Sequence, residues 1–143
     1  MIKSLLLVDD EDLFHLVFED ACSLLDIAMY LEGLTSADTA EVRFRNWMAD
    51  SAGKPECVFV DLNIIGSSID GIELIRRVNQ QYGGGVVIGI ISSSKDSIEH
   101  DRAQQAGAQF WIVKSDAIEP RLEQFREDYG GYKAGTAPFK VYN

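Results

Sequence analysis

The sequence has no apolar run that approaches the ~20 residues of a membrane-spanning helix. Its first apolar segment, Met1 to Val8, is too short for a signal peptide and runs directly into the acidic residues 9–12. We therefore expect neither a membrane anchor nor a secretion signal, and we predict a cytoplasmic location.

Basic residues are scarce in the N-terminal half of the chain. The 143 residues include 13 Lys and Arg against 23 Asp and Glu, which gives a net charge of -10. Residues 1–71 contain 4 basic and 14 acidic side chains, whereas residues 72–143 contain 9 of each. A surface of this sign repels a phosphate backbone, so we expect no nucleic-acid partner. The excess of acids in one half indicates that some of them are gathered around a cation.

Cysteine and histidine are equally sparse. Cys22 and Cys57 lie 35 positions apart in apolar stretches, without the close pairing of a zinc or redox motif. We predict that both are buried free thiols. His15 and His100 are single and distant in the pattern from the acids that end the strands, which disfavours a transition-metal site.

The apolar periodicity predicts five strands that alternate with five helices. The predicted strands cover 2–8, 28–34, 57–61, 86–91 and 110–113, and the last helix runs from about 116 to 128. In the first helix, we assign the buried face to the apolar residues at three- and four-residue spacing: Leu13, Leu16, Val17, Ala21, Leu24 and Leu25.

The strands are apolar throughout rather than alternating. This pattern predicts a doubly wound parallel sheet with helices on both faces. We treat residues 1–128 as one domain. Residues 129–143 include four Gly or Pro, and we predict a flexible C-terminal tail there, whose aromatic residues could dock on the domain or a partner.

Polar residues stand where these strands end, which is where doubly wound sheets bind ligands. Asp9 and Asp10 follow the first strand, Asp61 the third, Ser92 the fourth and Lys114 the fifth. Singly, each is an ordinary helix cap or edge charge. Together, carboxylates about 4 Å apart repel by about 4 kcal/mol at an effective dielectric of 20, and a divalent cation offsets that cost. An all-oxygen carboxylate set suits Mg²⁺ and phosphoryl chemistry.

The order and spacing of these residues closely resemble a response regulator receiver domain of two-component signalling. The resemblance runs from about residue 3 to 128 and implies the flavodoxin-like strand order 2-1-3-4-5. The motifs that carry it are Val8-Asp9-Asp10-Glu11, Val60-Asp61-Leu62-Asn63, Asp70-Gly71, Ile91-Ser92, Ala106-Gly107-Ala108 and Val113-Lys114.

The resemblance implies a role for each residue of this set. Asp61 would accept a phosphoryl group from a phosphohistidine and form an acyl phosphate. Asp10 and Asp61 would ligate Mg²⁺, with the backbone carbonyl of Asn63 as a third ligand and Asp9 acting largely through water. Lys114 would neutralise charge on the phosphoryl oxygens, as phosphoryl transfer requires.

Two further residues would form the switch. Once Asp61 is modified, Ser92 would donate its hydroxyl to a phosphoryl oxygen, which biases a two-state surface. Trp111 falls where the family has an aromatic side chain that turns inward on activation, although an ordinary strand aromatic would fit the same position. The family's output surface is the face of the fourth helix, fifth strand and fifth helix.

Two stretches depart from the family pattern. The residue after Lys114 is Ser115, where the family has a proline in a cis linkage, and a cis bond without proline costs ~3–4 kcal/mol. The loop after Asp61 also lacks the usual proline and is one residue longer.

The leading hypothesis is a stand-alone phospho-acceptor switch rather than a turnover enzyme. Its expected partners are a histidine kinase or histidine phosphotransfer protein and an output protein, with a homodimer as a further option. The alternative is a pseudo-receiver that binds partners without phosphorylation. A phosphatase with an aspartyl nucleophile lacks its general acid, because Asn63 occupies that position. A flavin carrier is disfavoured because the acids 9–12 would repel the flavin phosphate.

Overall fold

Strands and helices alternate along the chain, which the computed structural model describes at residues 1–114 and 117–143. In these ranges, no helix has the length and apolar character needed to cross a bilayer. The elements, in order, are β1 (Ile2–Val8), α1 (Asp12–Leu25), β2 (Ala28–Leu34), α2 (Ala37–Ala49), β3 (Cys57–Val60), α3 (Gly71–Gln80), β4 (Val87–Ser92), α4 (Ser97–Gln105), β5 (Phe110–Val113), α5 (Glu119–Ala134) and β6 (Lys140–Tyr142).

The sheet is parallel throughout, in the order β2-β1-β3-β4-β5-β6. The predicted doubly wound sheet and the order 2-1-3-4-5 are therefore confirmed, with a sixth strand added at the β5 edge. The register pairs Val8 with Val60 and Val60 with Ile90. Because parallel strands end on the same side, this register brings the residues after β1 and β3 next to each other.

Helices cover both faces of the sheet, and each face has its own apolar core. Helices α2, α3 and α4 pack on the face that includes Leu6 and Val8. Helices α1 and α5 pack on the opposite face, with Leu5 and Leu7. This alternation along β1 is the two-residue period of a strand whose two faces are both buried.

Both cysteines are buried free thiols, as the sequence predicts. Cys22 on α1 and Cys57 on β3 belong to the core beneath α1 and α5. Burial raises the pKa of the Cys22 thiol to about 12, so this group stays protonated at neutral pH.

The predicted buried face of α1 is wrong at most of its positions. Leu13, Leu16 and Leu24 are 66%, 60% and 77% exposed. The residues that α1 buries are instead Phe14, Phe18, Ala21 and Cys22. Apolar residues occupy both sides of this helix. The side that carries the two aromatic rings faces the sheet, where the Phe18 ring packs edge-on against Phe59, with 5.3 Å between ring centroids.

The C-terminal residues differ most from their prediction. Helix α5 continues to Ala134 instead of ending near residue 128, and residues 140–142 form β6 beside β5 rather than a flexible tail. The tyrosines at 129, 132 and 142 are the reason, since all three are buried in the core between α5 and the sheet. Burial of three aromatic rings outweighs the local Gly and Pro content.

Gly71, at the first turn of α3, lies against the backbone that carries Asp61. A Cβ at this position would lie 2.1 Å from the Asp61 carbonyl oxygen, so the missing side chain permits the close approach. The Gly71 N–H also donates to the Leu62 carbonyl oxygen at 2.8 Å. Gly71 therefore fixes the distance between α3 and the end of β3.

We expect Gly71→Ala to lower the free energy of unfolding by about 1–3 kcal/mol, because backbone must move to accept the methyl group. Urea denaturation followed by circular dichroism measures the change. The matched control is Gly130→Ala in α5, where an added Cβ has no atom within 4 Å. This control should gain about 0.5–1 kcal/mol from helix propensity. Equal effects of the two substitutions would contradict the assigned role of Gly71.

Candidate functional site at the carboxyl end of the sheet

The structure brings the predicted polar residues together at the carboxyl end of the sheet. Asp9 and Asp10 follow β1, Asp61 follows β3, Ser92 ends β4 and Lys114 follows β5. Two backbone bonds align these ends: the Asp61 N–H donates to the Val8 carbonyl at 2.9 Å, and the Lys114 N–H donates to the Ser92 carbonyl at 2.9 Å. Sheet register therefore sets the spacing of the site.

Asp9 is completely buried, and each of its polar groups has a partner. Its backbone N–H donates to the Leu34 carbonyl at 3.0 Å. Oδ1 accepts from the Glu11 N–H at 2.9 Å, and Oδ2 accepts from Lys114 Nζ at 2.6 Å. A buried carboxylate with this many donors is held in one orientation.

Lys114 bridges two carboxylates. Its Nζ lies 2.6 Å from Asp9 Oδ2 and 3.4 Å from Asp61 Oδ2, and its side chain is only 14% exposed. The ammonium also lies 4.2 Å from the centroid of the Phe14 ring, which adds a cation-π contact. The lysine is thus fixed beside Asp61.

The carboxyl group of Asp61 is largely removed from solvent. Burial raises the pKa of its carboxyl to about 6, and the charge of Asp9 adds to that increase, while the Lys114 ammonium opposes it. Loss of solvation is thus the main cost of charging Asp61, and the Lys114 ammonium offsets that cost only in part. A desolvated carboxylate of this kind favours a bound cation.

The acids could hold that cation. Asp9, Asp10 and Asp61 each offer a carboxylate oxygen within 4.8 Å of the others. This donor set consists of hard oxygens, which fits Mg²⁺ or a similar divalent ion. Among the described residues, Asp10 makes no hydrogen bond or ion pair, so its carboxylate is available as a ligand. Asn63 lies exposed in the loop after β3, and its role as a ligand remains a prediction.

Ser92 and Trp111 are linked through one intervening residue. Ser92 is buried, and its Oγ accepts from the Ser94 N–H at 3.3 Å. Trp111 is also buried, and its Nε1 donates to the Ser94 carbonyl at 3.2 Å. The ring of His100, on α4, packs on the Trp111 ring with 4.4 Å between centroids. The switching roles of Ser92 and Trp111 remain predictions.

The sequence analysis missed a contribution of His15. Its Nε2 donates to the Asp9 backbone carbonyl at 2.6 Å, and its ring packs against Gly33 of β2, where an added Cβ would lie 2.5 Å from Nδ1. The histidine thus lies beside the site rather than away from it. Only its position, one turn into the helix that follows the acids, could have indicated this contact. The Lys114–Ser115 linkage lies outside the described residues.

We expect Asp61→Asn to stabilise the fold at neutral pH in metal-free buffer, by about 1–2 kcal/mol, because it removes a desolvated charge. The pKa of Asp61 is raised in the folded state, so the native carboxyl lowers stability progressively as pH rises from about 4 to about 6. The gain from the substitution should therefore vanish below about pH 4 and be complete above about pH 6.

Urea denaturation with a chelator, across this pH range, measures the effect. Asp20→Asn, at an exposed position of α1, changes the net charge equally and serves as the control. An equal increase in the free energy of unfolding in Asp20→Asn would show that the change in net charge alone is responsible.

Comparisons with known proteins support the resemblance at the level of structure. No protein-family model matches the sequence, and no curated protein matches it. NtrX from Brucella abortus superposes with a TM-score of 0.76 at 22% identity, and the match covers 94% of this chain but only 28% of that protein.

Two shorter structures match over most of their own length. A LuxR-family two-component response regulator from Aurantimonas sp. SI85-9A1 has a TM-score of 0.70 at 25% identity, covering 96% of this chain and 89% of that one. The Mn²⁺-bound form of response regulator Rcp1 has a TM-score of 0.70 at 16% identity, covering 90% and 92%. The structural neighbours of this chain are response regulator receiver domains, and the chain has their fold.

Proposed function

We propose that this chain is a phospho-acceptor receiver, in which Asp61 accepts a phosphoryl group and the modification switches a protein-binding surface. The observation that carries the proposal is the arrangement around Asp61. A largely buried carboxylate lies beside a fixed ammonium and two further acids, in a fold whose neighbours are receiver domains. Phosphoryl transfer needs positioning and charge neutralisation more than covalent chemistry from the protein.

In the proposed reaction, an oxygen of the Asp61 carboxylate attacks the phosphorus of a phosphohistidine. A new O–P bond forms, the P–N bond breaks, and its electron pair returns to the imidazole nitrogen, which takes up a proton. Lys114 neutralises charge on one side of the phosphoryl group, since its Nζ already lies 3.4 Å from Asp61. Asp10 and Asp61, with the Asn63 carbonyl and Asp9 contributing, would hold Mg²⁺, which would supply further charge neutralisation.

The surface beside the site favours a protein as the phosphodonor. Leu13 and Leu16 are exposed on the first turns of α1, immediately after the acids 9–12, and Val17 continues the same side. An apolar patch of this kind favours a protein partner. We therefore propose a histidine kinase or phosphotransfer protein as the donor. An output protein would then bind the face of α4, β5 and α5.

We expect incubation with acetyl phosphate and Mg²⁺ to add one phosphoryl group to the chain, as measured by intact mass. The adduct should be labile to hydroxylamine, because an acyl phosphate is a mixed anhydride whose carbonyl carbon hydroxylamine attacks, with phosphate as the leaving group. It should be absent from Asp61→Asn and strongly reduced by a chelator.

The control for this experiment is Asp70→Asn, an acid of the same loop that caps α3 through the Glu73 N–H. This variant should still form the adduct. Absence of an adduct on wild-type protein, with Mg²⁺ present, would instead favour the pseudo-receiver. The departures after Asp61 and Lys114 are the observations behind that alternative.

We expect Asp10→Asn to raise the Mg²⁺ concentration needed for half-saturation by at least about tenfold, because it removes a direct ligand. Tryptophan fluorescence or calorimetry measures the affinity. The neighbouring Glu11→Gln removes the same charge at an exposed position and should change the affinity far less.

In the wild-type chain, Mg²⁺ affinity should also fall as pH decreases below about 6. The pKa of Asp61 is raised to about 6, and a protonated carboxyl does not bind the ion. An affinity that is the same at pH values well above and well below this pKa would contradict the assignment of Asp61 as a ligand.

A further inference from the structure

The C-terminal strand β6 occupies the free edge of β5. Lys140, Val141 and Tyr142 pair in parallel with Phe110, Trp111 and Ile112. Without these residues, β5 would present unpaired N–H and C=O groups at the edge of the sheet, which is a template for another strand. The chain therefore covers its own sheet edge.

The side chains of residues 139–142 pack into the apolar cores on both faces of the sheet. Phe139 and Val141 pack against the core that includes Trp111. Tyr142 points to the opposite face, where its ring lies 6.0 Å from the Phe125 ring of α5. Trp111 is fully buried, with the His100 ring of α4 packed on its indole and Val141 paired beside it.

Strand β6 is only three residues long, so it has few backbone hydrogen bonds to β5. Side-chain contacts provide the rest of its attachment. The Tyr142 hydroxyl donates to Asp128 Oδ2 at 2.6 Å and lies 2.9 Å from the Tyr132 hydroxyl. Lys140 Nζ lies 3.3 Å from the same Asp128 oxygen, at the surface. A short edge strand with few anchors opens more readily than the central strands.

A continuous set of contacts joins β6 to Ser92. The Ser92 hydroxyl accepts from the Ser94 N–H, the Ser94 carbonyl accepts from Trp111 Nε1, and Trp111 pairs with Val141 of β6. If the Ser92 hydroxyl turns toward a modified Asp61, the Ser94 loop loses a bond that holds it. Trp111 then loses its acceptor, and a buried indole N–H without a partner is unfavourable.

We propose that residues 139–142 are a displaceable cover of the β5 edge, which the unmodified site keeps in place and which phosphorylation of Asp61 loosens. This inference rests on the proposed function, since Ser92 responds only to the modified site. Displacement of this segment exposes the edge of β5 and the Trp111 ring, and so alters the face formed by α4, β5 and α5. The occupant of that edge in the resting protein is the chain's own C-terminal segment.

Hydrogen exchange of the full chain, with intact mass on the same samples, tests the proposal. Acetyl phosphate with Mg²⁺ is the probe. In the adduct-bearing fraction, the amides of 140–142 should exchange about tenfold faster than in unmodified protein, as for a locally opened strand. The amides of β2, at the opposite edge of the sheet, should not change. Formation of the adduct without faster exchange at 140–142 would contradict the proposed displacement of this segment and leave the proposed function intact. Absence of the adduct would contradict both.

Two variants separate this coupling from general instability. Trp111→Phe keeps an aromatic ring but removes the donor to Ser94. In this variant, the amides of 140–142 should exchange at the same rate in the adduct-bearing and the unmodified fractions. Tyr142→Phe removes only the anchoring hydroxyl, so 140–142 should exchange faster before modification as well. Retention of the wild-type response in Trp111→Phe would overturn the proposed path through Ser94.

Discussion

The ion pair between Lys114 and Asp9 is the interaction around which the carboxyl end of this sheet is organised. Asp9 has no exposed surface, so its charge is tolerable only with a fixed partner, and Lys114 Nζ at 2.6 Å provides one. The pair joins residues 105 positions apart and ties the end of β1 to the end of β5 across the intervening strands. Because Lys114 also reaches Asp61, structural anchoring and the proposed chemistry share one ammonium.

That shared ammonium offsets only part of the cost of burying Asp61. Three carboxylates meet at this site, and burial raises the pKa of Asp61 to about 6 in spite of the lysine. The charged Asp61 therefore lowers the stability of the fold at neutral pH, and binding of a cation or a proton offsets that loss. Such a conflict between stability and local charge is typical of sites that bind ligands.

The surroundings of β5 connect this end of the molecule to its C-terminus. One side of Trp111 faces the Ser94 loop and His100, and its strand edge is covered by β6. Tyr142 holds that cover through a hydroxyl network with Tyr132 and Asp128 on α5. An edge strand that is short, anchored by a few side chains and next to a buried aromatic is suited to respond to small changes in packing.

The sequence by itself determined the parallel sheet and the grouping of Asp9, Asp10, Asp61, Ser92 and Lys114, because apolar runs that end in polar residues specify strands and the edge where they end. It did not determine the buried face of α1 or the sixth strand. Apolar residues lie on both sides of α1, and only contact with the aromatic residues of the sheet selects Phe14 and Phe18 over the leucines. Local Gly and Pro content likewise concealed β6, which forms because Tyr142 finds partners on α5 that no local pattern reveals.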